Sequence, residues 1–481
     1  MANLPVPGAR LSAGSPGGPG RRGAPSLGDP IVSPPSIPAP VRELLERLWE
    51  AGFAGYVVGG SLRDAWLGRQ PKDWDLATNA RPAQTMEVFP GAVYENQFGT
   101  VAVRRGDDVY EVTTFRSDHD YADFRRPHRI EFGDSIELDL QRRDFTVNAM
   151  AWGADAPAPG QAREPGLVDP HGGRADVAAR ILRAVGDPSA RFEEDALRMI
   201  RAVRLATSLD FRIEPATLAA IRARAGLTAH LSGERIAAEL QRLLAASRPS
   251  TGLDLLATTG LLEAILPELA AQHGIRQNKV AGEDLWTHTL RTVDAAPADR
   301  PVVRLAALLH DIGKPATQAG GRFTGHQTVG AEVAAAVLAR LRMPRAVTER
   351  VVHLVRHHMF SYESTWSEMA VRRFIARIGR EALDELLLLR AADNAGSGQP
   401  DDDQLDELRR RIDEQLAAQV ALDRSDLAVD GHDLITELGL QPGPGLGRIL
   451  DELLERVLED PVLNDRPTLL LLAQSMLADR P

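Results

Sequence analysis

Apolar positions in VRELLERLWEAGF, which begins at Val41, recur at the three- and four-residue steps of an amphipathic helix, the first ordered element the chain predicts. The period then changes. GYVVGG is a short apolar run closed by glycines, TVAVRR and DDVYEVTTF alternate like strands, and RRDFTVNAMAW joins a polar turn to an apolar stretch. The Pro- and Gly-rich residues 154–173 predict a loop. After residue 174 helical periodicity dominates, with helices expected at 191–208, 215–226, 233–246, 251–258, 283–295, 301–311, 328–341, 345–357, 367–378, 381–394 and 402–421, and no fixed-period repeat. The expected architecture is an α+β head over residues 39–173, then an all-helical neck (174–270), body (271–400) and tail (401–481). Residues 1–38, almost devoid of large apolar side chains, predict a disordered arm.

A chain of 481 residues is too long for one core, which agrees with that division. It holds no cysteine, so disulfides, thiolate metal sites and cysteine nucleophiles are excluded. No apolar run is long enough for a membrane span and no signal peptide is visible, so a cytoplasmic protein is expected. The net charge of −11 argues against a nucleic-acid partner only until it is divided along the chain. Residues 401–481 carry 19 Asp/Glu against 8 Lys/Arg, leaving 48 of each sign in residues 1–400. Contacts to RNA must therefore come from local basic patches.

The chemistry is concentrated in VVGGSLRDAWLG followed by KDWDLAT. Gly59 and Gly60 end an apolar strand and precede a helix, where bare backbone lets a phosphate approach, and Arg63 lies one turn further on. Asp73 and Asp75 are two residues apart, so on an extended strand both carboxylates face one spot. Adjacent carboxylates repel unless cations sit between them, and two Mg²⁺ ions suit such a pair. By itself D-x-D is equally a solvated turn. Joined to the upstream G-G-S-x-R-D, it resembles the bacterial-type (class II) CCA tRNA nucleotidyltransferase and poly(A) polymerase family, within the polymerase-beta-like nucleotidyltransferases.

That resemblance runs in order through nearly the whole chain from about residue 40. It implies a mixed-sheet head with helices and transfer of CMP and AMP from CTP and ATP to the 3′ end of tRNA without a nucleic-acid template. DVYEVTTFR supplies Glu111 where the superfamily often has a third carboxylate, although a salt bridge to Arg116 accounts for it equally. In LQRRDFTVNAMAW, Arg143 is expected on the triphosphate, with Asp144 and Asn148 ordering the turn and ribose pocket. In GDPSARFEEDALRMIRAVRLA, the E-D-x-x-R motif implies that Asp195 and Arg198 read the base edge, with Arg201 and Arg204 on phosphate or ribose. A carboxylate that accepts from an exocyclic amine and a guanidinium that donates to the next ring nitrogen would favour cytosine and adenine. Unaided, the Asp195, Arg198, Arg201, Arg204 stripe reads as a solvated face. SGERIAAELQRLL, with Glu234 and Arg235, is expected to buttress the neck.

Six of the twelve histidines fall between residues 288 and 358. His288, His310, Asp311 and Asp393 resemble the ligand set of the HD phosphohydrolase superfamily, with His326, His357 and His358 as further candidates and His353 as a plain helix residue. The resemblance implies a second divalent transition metal and an additional phosphohydrolase activity, or a helical scaffold that has kept the residues without the metal. The turn from Pro442 to Arg448 in the tail offers amides to an RNA phosphate or is an ordinary helix start. The leading expectation is a monomeric or homodimeric CCA-adding enzyme. Poly(A) polymerase and CC- or A-adding enzymes share its motifs. A phosphohydrolase with an RNA-binding head and a non-enzymatic RNA-binding scaffold would both leave Asp73, Asp75, Arg63 and Arg143 idle.

Overall fold

The computed structural model describes residues 36–71, 73–95, 99–122, 126–156, 164–277, 280, 282–399 and 403–478. Most of the arm expected at 1–38 lies outside these residues, but Ile37 is buried in the core, so order begins before Val41. The first helix, Ala39–Glu50, buries Val41, Leu44, Leu45, Leu48 and Trp49 along one stripe. Trp49 closes that packing by donating its indole N–H to the carbonyls of Gly55 and Ala154, at 3.1 Å each.

Those two carbonyls belong to a mixed sheet. Its strands are β1 (Gly55–Val58), β2 (Asp75–Thr78), β3 (Val93–Tyr94), β4 (Thr100–Arg105) and β5 (Asp108–Thr114). A separate hairpin, β6 (Arg116–Ala122) and β7 (Arg126–Phe132), leads to β8 (Ala151–Ala154) and β9 (Gly166–Val168). The seven-stranded sheet runs β3-β4-β5-β2-β1-β8-β9. Every neighbouring pair is antiparallel except β2 and β5. The parallel pairing sets Leu76 opposite Val112, which brings the carboxylates at the start of β2 beside Glu111. Among the described residues the expected loop 154–173 contains β9, which three residues of apolar pattern were too short to signal. The head also gains Ile181–Leu182, paired in parallel with Arg212–Ile213, two-residue strands past the point where strands were expected to end.

The rest is helical. The helix expected at 345–357 is found at Arg345–His357 and that at 381–394 at Arg380–Gly396. One prediction changes in a way that matters: the helix expected at 191–208 is two helices, Pro188–Glu194 and Leu197–Leu209, broken at Asp195. Arg304, 3% exposed, ties neck to body by donating to the carbonyls of Leu244, Ala246 and Ala296, which close two helices at one point. The tail packs a separate core around Leu434, Ile449, Leu453 and Leu469. It is fastened to the body by Arg372, which donates to the carbonyls of Leu458 at 2.8 Å and Glu459 at 3.1 Å. No helix among the described residues is long and apolar enough to cross a membrane.

Candidate active site

β1 is buried throughout and ends at Gly59, whose φ of 77° belongs to the left-handed region. A side chain there would also lie 2.8 Å from Arg143 Nη1. Glycine at 59 therefore serves both the turn and the close approach of an arginine. The helix Gly60–Trp66 follows and sets Arg63, 8% exposed, at the base of a cleft of about 930 Å³ between head and neck. Arg63 donates through Nε to Asp64 Oδ1 at 2.9 Å and through Nη1 to Asn148 Oδ1.

Asp75 opens β2 and Asp73 stands two residues before it. Trp74 and Leu76 are buried while both carboxylates are exposed to the cleft, so the alternation expected of an extended segment begins ahead of the strand itself. Enclosure in the cleft pushes the Asp75 carboxyl up against the pull of Arg143, and the Asp73 carboxylate pushes it further. Glu111, on β5, is likewise raised, by partial desolvation and then by Asp75, Glu95 and Asp73. Asp73, Asp75 and Glu111 line one cleft as an all-oxygen donor set, which is the fit a divalent metal requires.

Opposite them the RRD turn presents its charges. Arg143 donates from Nη2 to Asp139 Oδ2 at 3.2 Å and from Nη1 to the Asn148 carbonyl at 3.3 Å. Its Nε is buried without a protein partner. Asp144 accepts from Asn148 Nδ2 at 3.1 Å and pairs with Arg201 Nε at 2.6 Å. Burial opposes the Asp144 charge, but Arg201 and Asn148 hold its carboxyl below the usual range.

Asp195 is in extended backbone, φ −149° and ψ 103°, and not on the helix face where the sequence pattern put it. One of its oxygens accepts the Leu197 amide at 3.1 Å, and the other pairs with Arg235 at 2.7 Å. Arg198 pairs with Glu194 at 2.6 Å and donates to the carbonyls of Arg191 and Arg142. Arg204 pairs with Glu239 at 2.8 Å. All of the head and neck residues expected at the site line this one cleft: Gly59, Gly60, Arg63, Asp73, Asp75, Arg143, Asp195, Arg198, Arg201 and Arg204. Arg201 and Arg204 are held there by Asp144 and Glu239. Sequence reasoning missed Asp139, Arg142, Glu194 and Glu239, and read Arg235 as a buttress only. Arg142 beside Arg143 and Glu239 one turn after Arg235 were the available signals.

A second cluster lies in the body. The helix Leu285–Ala295 supplies His288, the end of Pro301–Leu309 supplies His310 and Asp311, His326 opens His326–Arg340, His358 closes Arg345–His357, and Asp393 comes from Arg380–Gly396. None is more than 6% exposed. His288 Nε2 lies 3.1 Å from both His310 Nε2 and Asp393 Oδ1, and Asp311 Oδ1 lies 3.3 Å from His326 Nε2. The Nδ1 atoms of His310, His326 and His358 are 2.8, 2.8 and 2.7 Å from the carbonyls of Ala307, Phe323 and Val355. A carbonyl only accepts, so each Nδ1 carries a proton, and each Nε2 is left as the ring atom that faces inward. His326 Nε2 and His358 Nε2 then face each other at 3.4 Å beside Asp311. That arrangement suits a cation between them. His357 does not join; its ring packs at a tilt against His353, 4.5 Å between ring centres, because the helix turns it one position away from His358.

A glycine-turn cleft with clustered carboxylates on one wall and arginines on the other, carried on a polymerase-beta-like mixed sheet, defines a nucleotidyltransferase. Residues 55–183 match the family model of the poly A polymerase head domain, 210–272 that of a probable RNA- and SrmB-binding site of polymerase A, and 323–473 that of a tRNA nucleotidyltransferase domain 2. The CCA-adding enzyme of Geobacillus thermodenitrificans is 35% identical over 88% of this chain and 93% of its own length. That of Levilactobacillus brevis is 34% identical over 89% and 95%. The crystal structure of the Bacillus stearothermophilus CCA-adding enzyme in complex with CTP superposes with a TM-score of 0.68 at 29% identity, covering 92% of this chain and 98% of that one. The chain belongs to the family of CCA-adding enzymes.

Proposed function

We propose that this chain adds CMP and AMP, from CTP and ATP, to the 3′ end of tRNA, and that protein side chains take the place of a template. The observation that carries this reading is the single cleft shared by Asp73, Asp75 and Glu111 on one wall, Arg63 and Arg143 on another, and Asp195 with Arg198 at its neck end. Arg143 and the bare backbone at Gly59 and Gly60 receive the triphosphate. Asp195 and Arg198 offer one acceptor and one donor to a base edge, a pair that cytosine and adenine satisfy and that leaves buried groups unpaired against uracil or guanine. Arg201 and Arg204 keep that end of the cleft in register through Asp144 and Glu239. Asp73 and Asp75, with Glu111 beside them, would hold the divalent ions, and Mg²⁺ fits an all-oxygen donor set. Such ions, when bound, supply charge that activates the tRNA hydroxyl and steadies the departing pyrophosphate. The tail helix Pro444–Glu459 offers its first amides to an RNA phosphate. Use of tRNA, CTP and ATP supports a cytoplasmic location.

The test is tRNA lacking one, two or three terminal nucleotides, given labelled CTP or ATP, with product length read on a gel. Stepwise completion to CCA is expected. A long A tail would point to poly(A) polymerase, and arrest after CC or a requirement for CC would point to a partial enzyme.

A second reading concerns the body. The inward-facing Nε2 atoms of His310, His326 and His358 around Asp311 and Asp393 support a divalent transition-metal site there, of the HD type, with a phosphohydrolase activity as its chemistry. Metal analysis of the purified protein tests it; protein that is metal-free after manganese or nickel loading removes it.

A further inference from the structure

Asp139, on the helix Ile136–Gln141, has no part in the roles assigned so far, yet it is 2% exposed and accepts four N–H groups. Its Oδ1 takes Arg142 Nε at 3.0 Å, Arg142 Nη2 at 2.7 Å and the backbone amide of Arg116 at 3.4 Å. Its Oδ2 takes Arg143 Nη2 at 3.2 Å. A carboxylate kept this far from water costs several kcal/mol unless it is fully paired, so its partners are held firmly and cannot swing away without exposing it.

We propose that Asp139 is a positioning residue that sets the triphosphate-binding and base-reading ends of the cleft together. Arg143 is located by three things: Asp139 Oδ2, the Asn148 carbonyl and the open backbone of Gly59. Only the first is charged, so it is the contact that fixes the guanidinium most firmly. Arg142 is gripped from two of its nitrogens, and the carbonyl of that same residue receives Arg198 Nη2 at 3.1 Å. Asp139 is thus two steps from the triphosphate, through Arg143, and three from the base, through Arg142 and Arg198. The amide of Arg116 adds a third tie, to the first residue of the β6–β7 hairpin. Burial works against the charge on Asp139, and Arg143 and Arg142 nonetheless hold its carboxyl below the usual range, as expected of a group that stays ionised to do this.

The inference rests on the nucleotide-transfer reading and is tested beside it. Asp139→Asn keeps the shape and removes the charge. In the full-length protein, calorimetric affinity for CTP and for pyrophosphate should fall about tenfold or more, as for a catalytic group displaced by part of an ångström. UTP incorporation relative to CTP should rise several-fold, while affinity for tRNA stays that of the parent. Wild-type values for CTP, pyrophosphate and UTP overturn the proposal. Parallel loss of CTP and tRNA affinity with a lowered melting temperature also overturns it, because it marks Asp139 as a general stabiliser. If Asp139→Asn does not fold, Arg142→Gln should shift the UTP to CTP ratio more than the pyrophosphate affinity, and an unchanged ratio overturns the coupling. A parent protein that binds no CTP defeats the nucleotide-transfer reading itself, which is a separate result.

Discussion

The head cleft and the body cluster use the same kinds of side chain in opposite surroundings. In the cleft Asp73, Asp75 and Glu111 stand exposed to the opening, and partial desolvation, then the neighbouring carboxylates, raise the carboxyls of Asp75 and Glu111. In the body Asp311 is 1% exposed, where a carboxylate needs a cation facing it. Lys314 reaches it at 2.6 Å, and the same ammonium lies 2.6 Å from Gln277. One site sets carboxylates on one wall against arginines on the other, an arrangement open to hard cations and a polyphosphate. The other is neutralised by its own lysine and offers imidazole nitrogens. Charge balance, and not the presence of His or Asp, separates the two chemistries.

The sharpest way to break this comparison is Asp75→Asn. It should lower CTP incorporation by ~10³-fold, since the ions it would hold carry several kcal/mol of the barrier; a loss under tenfold in single-turnover kinetics would leave the cleft carboxylates without a metal role. Next comes Asp195→Ala, which should cut discrimination of CTP over UTP by roughly 10²-fold in competition assays while pyrophosphate affinity is preserved. For the body, Asp311→Asn removes the carboxylate that both histidine groups share, and bound manganese or nickel should weaken about tenfold or more by elemental analysis and titration. Equal metal uptake by the variant would merge the two regions into one class of incidental polar cluster.

The smallest expected effect is a pH slope. Burial first, then His353, Arg377 and Arg356, lower His357 from 6.5 to about 4. The folded protein therefore refuses a proton that the unfolded chain accepts, so the unfolding free energy should fall as pH drops from about 6.5 towards 4. Urea melts across that range should show the slope, and His357→Leu should reduce it.

Much of the site was legible because its parts are local. GG before a helix, D-x-D and RRD each place functional groups within a few residues, where local backbone geometry decides their direction, whereas E-D-x-x-R showed its residues but not the break at Asp195. The body ligands were legible as a set of residue types, but not as geometry: His357 and His358 are adjacent in sequence, and only packing turned one inward. Asp139 and Glu239 carried no such local signal. Each matters through partners on other segments, Arg143 and Arg116 for one, Arg204 for the other. Short strands such as Ile181–Leu182 escaped because two residues cannot display a period.

By itself, then, the order of residues determined the run of helices, the strand segments of the head, the glycine turn at Gly59 and the charged motifs, since all of these follow from interactions a few positions apart. Tertiary structure decided that β2 lies parallel to β5 with Glu111 beside Asp75, that the neck helix breaks so Asp195 leaves it, and that Asp139 grips two arginines. These depend on contacts between segments far apart in the chain, where desolvation and charge pairing outweigh local propensity.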